Sequence, residues 1–69
     1  MTPEALKAWS KRLGLTQQAA ANALGVSLRM YAYYEKGHRE DGRTVEIPRT
    51  VALAAAAVAF GLPPIGESQ

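Results

Sequence analysis

The sequence has no cysteine and a single histidine, His38, among its 69 residues. Without cysteine the chain can form neither a disulfide nor a thiolate metal site, and one histidine cannot build a zinc site alone. A chain this short buries only about 60% of the surface that its unfolded form exposes. Its stability must therefore come from close helix packing, from a partner subunit, or from both.

Acidic residues are missing from a long stretch of the chain. Four cations and no carboxylate lie between Ala5 and Tyr34, whereas positive and negative charges balance from Glu35 to Arg49. A half-chain that carries only positive charge suits a polyanionic partner such as nucleic acid. The same pattern is also compatible with a solvated basic face on an ordinary helical protein.

The sequence lacks the marks of a membrane protein and of an enzyme. The longest apolar run, Val51 to Phe60, is mostly alanine, and a bilayer span needs about 20 apolar residues. No paired carboxylates share a rigid face for acid–base work, and the one histidine lies in a polar loop. We therefore expect a cytoplasmic protein that is not an enzyme, with no cofactor, metal, small-molecule ligand or membrane partner.

Capping residues and glycines mark the helices of the first half. Thr2 and Pro3 are typical of a helix start. Two short helices follow, capped by Thr16 and Ser27, and the tight turn between them contains Gly25. Gly25 permits the left-handed backbone of such a turn. Two short helices joined in this way predict a helix-turn-helix unit.

The second half contains a polar loop, one more helix and a tail. The fourth helix begins with Pro48 at its first helical position and runs to Phe60, and consecutive prolines make the tail extended. No strand pattern is visible, so the predicted fold class is all-α. We expect one domain over residues 1–62, with a helix-turn-helix at 16–37, a fourth helix at 48–60 and a short C-terminal tail at 63–69.

The fourth helix is apolar on almost all sides, so more than one of its faces must be covered. One stripe is formed by Val51, Ala54, Ala55 and Val58. We predict that this stripe packs against a second copy of the chain in a homodimer. The alternative is that the domain core and the tail from Leu62 to Ile65 together cover both faces.

With these features the sequence resembles the Cro and C1 repressor family of helix-turn-helix regulators, also called the XRE family. The resemblance lies between Leu6 and Gly37, and more loosely between Ile47 and Leu53. It implies a compact four-helix lambda-repressor-like DNA-binding domain, with the helix-turn-helix at helices two and three. The matching segments, in order, are Leu15-Thr16-Gln17, Ala21, Leu24-Gly25-Val26-Ser27 and Tyr34-Glu35-Lys36-Gly37.

In that family the third helix enters the DNA major groove and the second lies across the backbone. Arg29 is the strongest candidate for a base contact, because a guanidinium can hold guanine O6 and N7 together. The resemblance implies base contacts from Ser27, Leu28, Arg29, Ala32 and Tyr33. It implies phosphate contacts from Gln17, Gln18, Lys36, Arg39 and Arg43.

Each of these assignments has a structural alternative. The polar side chains could be simple surface residues, Tyr33 could be half-buried, and the loop arginines could pair with the loop acids. Tyr31 and Tyr34 are expected in the core, with hydroxyls that reach the surface. Ala20 stands where the family usually has a larger apolar residue, so we expect Trp9 or a tyrosine to fill that space.

The chain departs from the family pattern in its first helix. Many members carry an arginine there that pairs with the glutamate at position 35, whereas this chain has Ser10 at that place. Glu35 must find another partner or stay solvated. Lys7 and Lys11 are the available cations, and the sequence does not decide between them.

We therefore predict a sequence-specific double-stranded DNA-binding regulator, a repressor that binds a palindromic operator as a homodimer through the major groove. Control of its own operon fits this class, as does a phage-borne regulator or one that accompanies anti-CRISPR genes. The alternatives are an antitoxin and a protein–protein interaction module built on the same fold. The last of these predicts that Arg29→Ala leaves activity intact.

Overall fold

The computed structural model describes residues 1–66, which form four helices joined by short connections. The helices are α1 (Pro3–Arg12), α2 (Gln17–Leu24), α3 (Leu28–Lys36) and α4 (Arg49–Ala59). Within the described residues β pairing is limited to one isolated bridge, between His38 and Thr44. The predicted all-α class is confirmed. Of the predicted tail, residues 67–69 lie outside the described part of the chain.

The predicted caps of the first three helices are present. The hydroxyls of Thr2, Thr16 and Ser27 accept backbone N–H groups three residues ahead, at 3.0, 3.1 and 3.1 Å. These bonds satisfy donors that a helix N-terminus leaves free. Pro48, predicted as the first helical residue, is instead the N-cap of α4, so the helix begins one residue later than predicted and has no side-chain cap. Packing rather than capping therefore holds this end of α4.

A single cluster of buried side chains holds the four helices together. Each helix contributes two residues to it, so no pair of helices forms a core alone. The expectation that two tyrosines lie in the core is confirmed, and Trp9 belongs to the same cluster as Ala20. The cluster consists of Leu6, Trp9, Ala20, Ala21, Tyr31, Tyr34, Val51 and Ala55.

Trp9 connects α1 directly to the backbone of α4. Its side chain is 3% exposed, and its indole N–H donates to the carbonyl oxygen of Ala55 at 2.8 Å. A buried indole needs such an acceptor, because an unpaired N–H away from water is costly. The small side chain of Ala55, which is itself fully buried, allows the ring to approach the helix backbone this closely. This bond sets which face of α4 turns inward.

The burial of α4 removes half of the predicted dimer stripe. Val51 is 7% exposed and Ala55 0% exposed, because both lie in the core of their own chain. These two residues have little or no surface left for a second copy. Ala54 and Val58 are half-buried and keep part of theirs. The prediction of a four-residue dimer stripe is therefore corrected to these last two.

The opposite face of α4 is apolar and open. Leu53 is 58% exposed and Phe60 is 82% exposed. The tail does not cover this face, since Leu62 and Ile65 are themselves 61% and 104% exposed. Within residues 1–66 the outward face of α4 therefore has no apolar cover.

Trp9→Phe is expected to lower the free energy of unfolding by about 1–3 kcal/mol, because it removes a buried hydrogen bond and leaves a void. Urea denaturation followed by circular dichroism measures this change. Lys7→Ala, an exposed change in the same helix, serves as the control and should stay within about 0.5 kcal/mol of the original chain. Equal midpoints for the two variants would show that the indole bond is unimportant.

Candidate nucleic-acid interface

The turn between α2 and α3 is short and closed by backbone hydrogen bonds. Gly25 has φ 73°, in the left-handed region, as predicted. The N–H of Val26 donates to the carbonyl of Ala21 at 3.0 Å, which ends α2 and reverses the chain. Ala21 is fully buried where the helices pack, and Val26 packs against the core cluster. The turn thereby fixes the start of α3 relative to α2.

The first turn of α3 is exposed to solvent in the described part of the chain. Ser27, Leu28 and Arg29 are all exposed, and Leu28 keeps 43% of its surface. The Ser27 hydroxyl caps the helix, whereas the Arg29 guanidinium is paired with no carboxylate in the described residues. A cationic side chain and an apolar side chain are thus presented together at the helix start.

This free surface continues along α3. Ala32 and Lys36 follow Leu28 and Arg29 at helical spacing, so the four positions share one face of the helix. Lys36 is exposed and Ala32 is half-buried. We call this surface, formed by residues 27–29, 32 and 36, the open face of α3. Two of its residues are cations and none is an acid.

Tyr33 does not belong to the open face, which corrects its predicted base contact. Its side chain is only 8% exposed. The hydroxyl donates to Glu40 Oε1 at 3.1 Å, and the Arg39 guanidinium carbon lies 5.2 Å from the ring centroid. The cationic group over the ring and the acceptor at its hydroxyl both hold the following segment on Tyr33. The ring is therefore closed off from base edges.

That segment is a small hairpin rather than an open loop. The N–H of Arg39 donates to the carbonyl of Arg43 at 2.8 Å, and the N–H of Gly42 donates to the carbonyl of Arg39 at 2.9 Å. Gly42 has φ 87° at the tip, where a side chain would be strained. The hairpin places two exposed arginines beside the C-terminal end of α3. His38 is exposed at its base, as expected.

Arg43 pairs with a hairpin acid, which was the structural alternative for this residue. Its Nε lies 2.9 Å from Asp41 Oδ2, and its backbone N–H donates to Asp41 Oδ1 at 3.0 Å. These two bonds hold the pKa of Asp41 below its ordinary value. The pair is exposed on both sides, so it contributes little to stability. A phosphate could compete for the same guanidinium.

The start of α2 is exposed on the other side of the turn. Gln18 Nε2 donates to Asn22 Oδ1 at 3.0 Å within the helix. Gln17 Nε2 donates to Glu35 Oε1 at 2.9 Å and so joins α2 to α3. The partner of Glu35 is thus Gln17 and neither of the two expected lysines. No short-range pattern signals this bond, because its residues are 18 positions apart.

Tyr31 lies beneath these residues, and the position of its hydroxyl differs from the expectation. The side chain is 0% exposed, and its hydroxyl lies near Ser10 and the Glu35 carboxylate but forms no hydrogen bond of good geometry among the described residues. Ser10, also buried, directs its own hydroxyl to the Lys7 carbonyl at 3.0 Å. Burial raises the pKa of Tyr31 to about 12; Ser10 acts against this rise and the Glu35 carboxylate adds to it. The hydroxyl is therefore held neutral.

Tyr31→Phe is expected to leave stability at neutral pH unchanged or to raise it, because it removes a buried hydroxyl that forms no hydrogen bond of good geometry. The raised pKa also predicts a difference at alkaline pH. The unfolded chain loses the Tyr31 proton near pH 10, whereas the folded chain keeps it until about 12. Folding stability should fall between these two values as the pH rises.

This alkaline loss should be smaller in Tyr31→Phe, and urea denaturation at a series of pH values measures it. Tyr34→Phe is the matched control, since Tyr34 belongs to the same core cluster. A variant Tyr31→Phe that is clearly less stable at neutral pH would mean that the hydroxyl has a stabilising partner after all.

Comparison with known proteins identifies the region just described. A family model described as helix-turn-helix matches residues 6–40, half of the chain. The match runs from Leu6 in α1, through α2, the turn and α3, to Glu40 in the hairpin. No curated protein and no solved structure matches the chain. The four-helix arrangement together with this match gives a lambda-repressor-like all-α fold.

Two other kinds of site were sought in the same residues. None of the helices in residues 1–66 has the length and apolar character needed to cross a membrane. That part of the chain also holds no group of three histidine, cysteine, aspartate or glutamate residues placed to bind a metal ion.

Proposed function

Because the chain belongs to the Cro/C1-type (XRE) family of helix-turn-helix DNA-binding regulators, we propose that it is a repressor that binds a palindromic operator as a homodimer. The observation that carries this proposal is the open face of α3. It begins at the turn, it carries Arg29 and Lys36 without an acid, and within residues 1–66 both of these cations are exposed.

The open face suits the major groove in size and chemistry. The groove is about 12 Å wide and admits an α-helix with its side chains. With the start of α3 in the groove, Arg29 is placed to donate to guanine O6 and N7, and Leu28 is placed against a thymine methyl group. Ser27 and Ala32 are short, so they let the helix approach the base edges closely.

Phosphate contacts are proposed on both sides of the open face. Gln17 and Gln18 lie at the N-terminus of α2, where free amides and the helix dipole favour an anion. Lys36, Arg39 and Arg43 lie at the opposite end, at the close of α3 and on the hairpin. Contacts of this kind set register on the duplex and carry no sequence information.

The outward face of α4 is the proposed dimer surface. Leu53, Ala57 and Phe60 follow one another at helical spacing and form a stripe opposite the core residues of that helix. Ala54 and Val58 keep part of their surface at the edge of this stripe. A two-fold pairing of α4 would cover the apolar face and present two copies of α3 to one palindrome.

Selection from a random pool of DNA duplexes tests the proposal as a whole. The expected product is a palindrome whose half-sites are about one helical turn, 34–36 Å, apart. Binding to the selected duplex should weaken steeply as salt rises, because phosphate contacts release counterions. A pool that shows no enrichment, with no binding to any duplex at low salt, would contradict the proposed function.

Arg29→Ala should weaken binding to the selected operator by about 1–3 kcal/mol and relax specificity at one base pair. The reason is the loss of a bidentate contact to guanine. Fluorescence anisotropy with the operator and with each single-base variant measures both effects. Arg12→Ala is the matched control, because Arg12 is an exposed arginine at the C-terminal end of α1. Equal affinity losses for the two variants would rule out base recognition by Arg29.

A pair of leucine substitutions separates assembly from DNA binding. Leu53→Asp places a charge in the outward stripe and should give a monomer, as measured by sedimentation. Leu28→Asp makes the same change on the open face of α3; it should leave the dimer intact and abolish DNA binding. A wild-type chain that is already monomeric would contradict the proposed dimer.

A further inference from the structure

The hydrogen bond between Gln17 and Glu35 has a feature that the proposed DNA contacts do not use. It joins the first residue of α2 to the last turn of α3 at 2.9 Å. Glu35 has no cation at salt-bridge distance in the described residues, so its carboxylate is bound by a neutral amide. Glu35 borders the open face of α3, and an acid without a cationic partner is unexpected beside a surface proposed to meet a polyanion.

Glu35 is held more firmly than the residue it binds. It is half-buried, whereas Gln17 is exposed, and it follows the fully buried Tyr31 by one helical turn. The carboxylate lies close enough to the Tyr31 hydroxyl to help raise the pKa of that group. Glu35 is thus the fixed partner, and the long side chain of Gln17 is the one whose orientation is set.

The orientation matters because of what lies beside Gln17. In the first turn of α2 the N–H of Ala19 is bonded to the Thr16 hydroxyl, and the N–H of Ala20 to the Thr16 carbonyl. The backbone N–H groups of Gln17 and Gln18 remain as donors at the helix start. The Gln17 carboxamide uses one N–H on Glu35 and has a second one left.

We infer that Glu35 is a positioning residue for DNA binding, which holds the Gln17 carboxamide so that its second N–H and the free amides of Gln17 and Gln18 meet one backbone phosphate. The inference rests on the proposed function. A side chain fixed before binding loses less rotamer freedom when the phosphate arrives. The carboxylate charge acts in the opposite direction by repelling the phosphate, so a test must separate the two effects.

Two substitutions of Glu35 make this separation, because both remove the charge. Glu35→Gln keeps an oxygen that can accept the Gln17 N–H, whereas Glu35→Ala does not. Affinity is measured by anisotropy for a duplex of mixed sequence at low salt, since a phosphate contact is independent of sequence. We expect Glu35→Ala to bind several-fold more weakly than Glu35→Gln. In a Gln17→Ala background this difference should disappear.

The orientation can also be observed without DNA. The side-chain amide protons of Gln17 should have distinct NMR shifts in the wild type and in Glu35→Gln, and shifts typical of a free glutamine in Glu35→Ala. Gln17→Ala alone changes an exposed residue, so this variant should fold. We expect it to bind the duplex more weakly than the wild type by the same several-fold factor. If Glu35→Ala is too unstable to study, the Gln17 side-chain shifts of the wild type keep the positioning role falsifiable, because shifts typical of a free glutamine would contradict it.

Equal affinities of Glu35→Ala and Glu35→Gln, or wild-type affinity in Gln17→Ala, would overturn the positioning role. That result is distinct from failure of the proposed function, in which the wild type itself binds no duplex at low salt. Thermal unfolding of each variant separates a loss of binding from a loss of folding.

Discussion

The hydrogen bond from the Trp9 indole to the Ala55 carbonyl is the constraint on which the two functional surfaces depend. It fixes α4 against α1 and turns Val51 and Ala55 into the core. The outward face of the same helix, with Leu53 and Phe60, is then left open. Because α4 packs against α2, whereas α3 packs against α1 and α2, the open face of α3 is kept free of α4.

The buried alanines determine how closely the helices of this small domain can pack. With Ala20, Ala21 and Ala55 fully buried, the helices can lie close together, and three large aromatic side chains fill the space between them. The chain thereby builds a core from few residues per helix. Among residues 1–66, large apolar side chains stay exposed at Leu53 and Phe60, at Leu28 on the open face of α3, and at Leu62 and Ile65 in the tail.

Local chemistry made much of the fold predictable from sequence. A hydroxyl cap or a left-handed glycine acts within a few residues, so Thr16, Ser27 and Gly25 located the helix-turn-helix without knowledge of the rest. The buried side of the fourth helix was harder to predict. Alanine lies on almost every side of this helix, so no polar face marks the side that is exposed to solvent. Its length was predicted within a residue at each end, whereas its buried face follows from its packing against α2 and from the contact with Trp9.

The candidate site was predictable where it depends on one helix and not where it depends on two segments. The exposure of Arg29 at the start of α3 follows from the spacing of the buried tyrosines. The cover on Tyr33 depends on how the hairpin folds back, and the partner of Glu35 depends on the packing of α2 against α3. Contacts of this kind have no periodicity in the sequence.

NMR chemical-shift mapping of the labelled protein during titration with its selected operator duplex tests the central claim most directly. The claim is that the open face of α3 and the start of α2 form the DNA-binding surface. It predicts the largest amide shifts at residues 17–18 and 27–36, with small shifts on the outward face of α4. Large shifts confined to α4, with residues 27–36 unchanged, would contradict it.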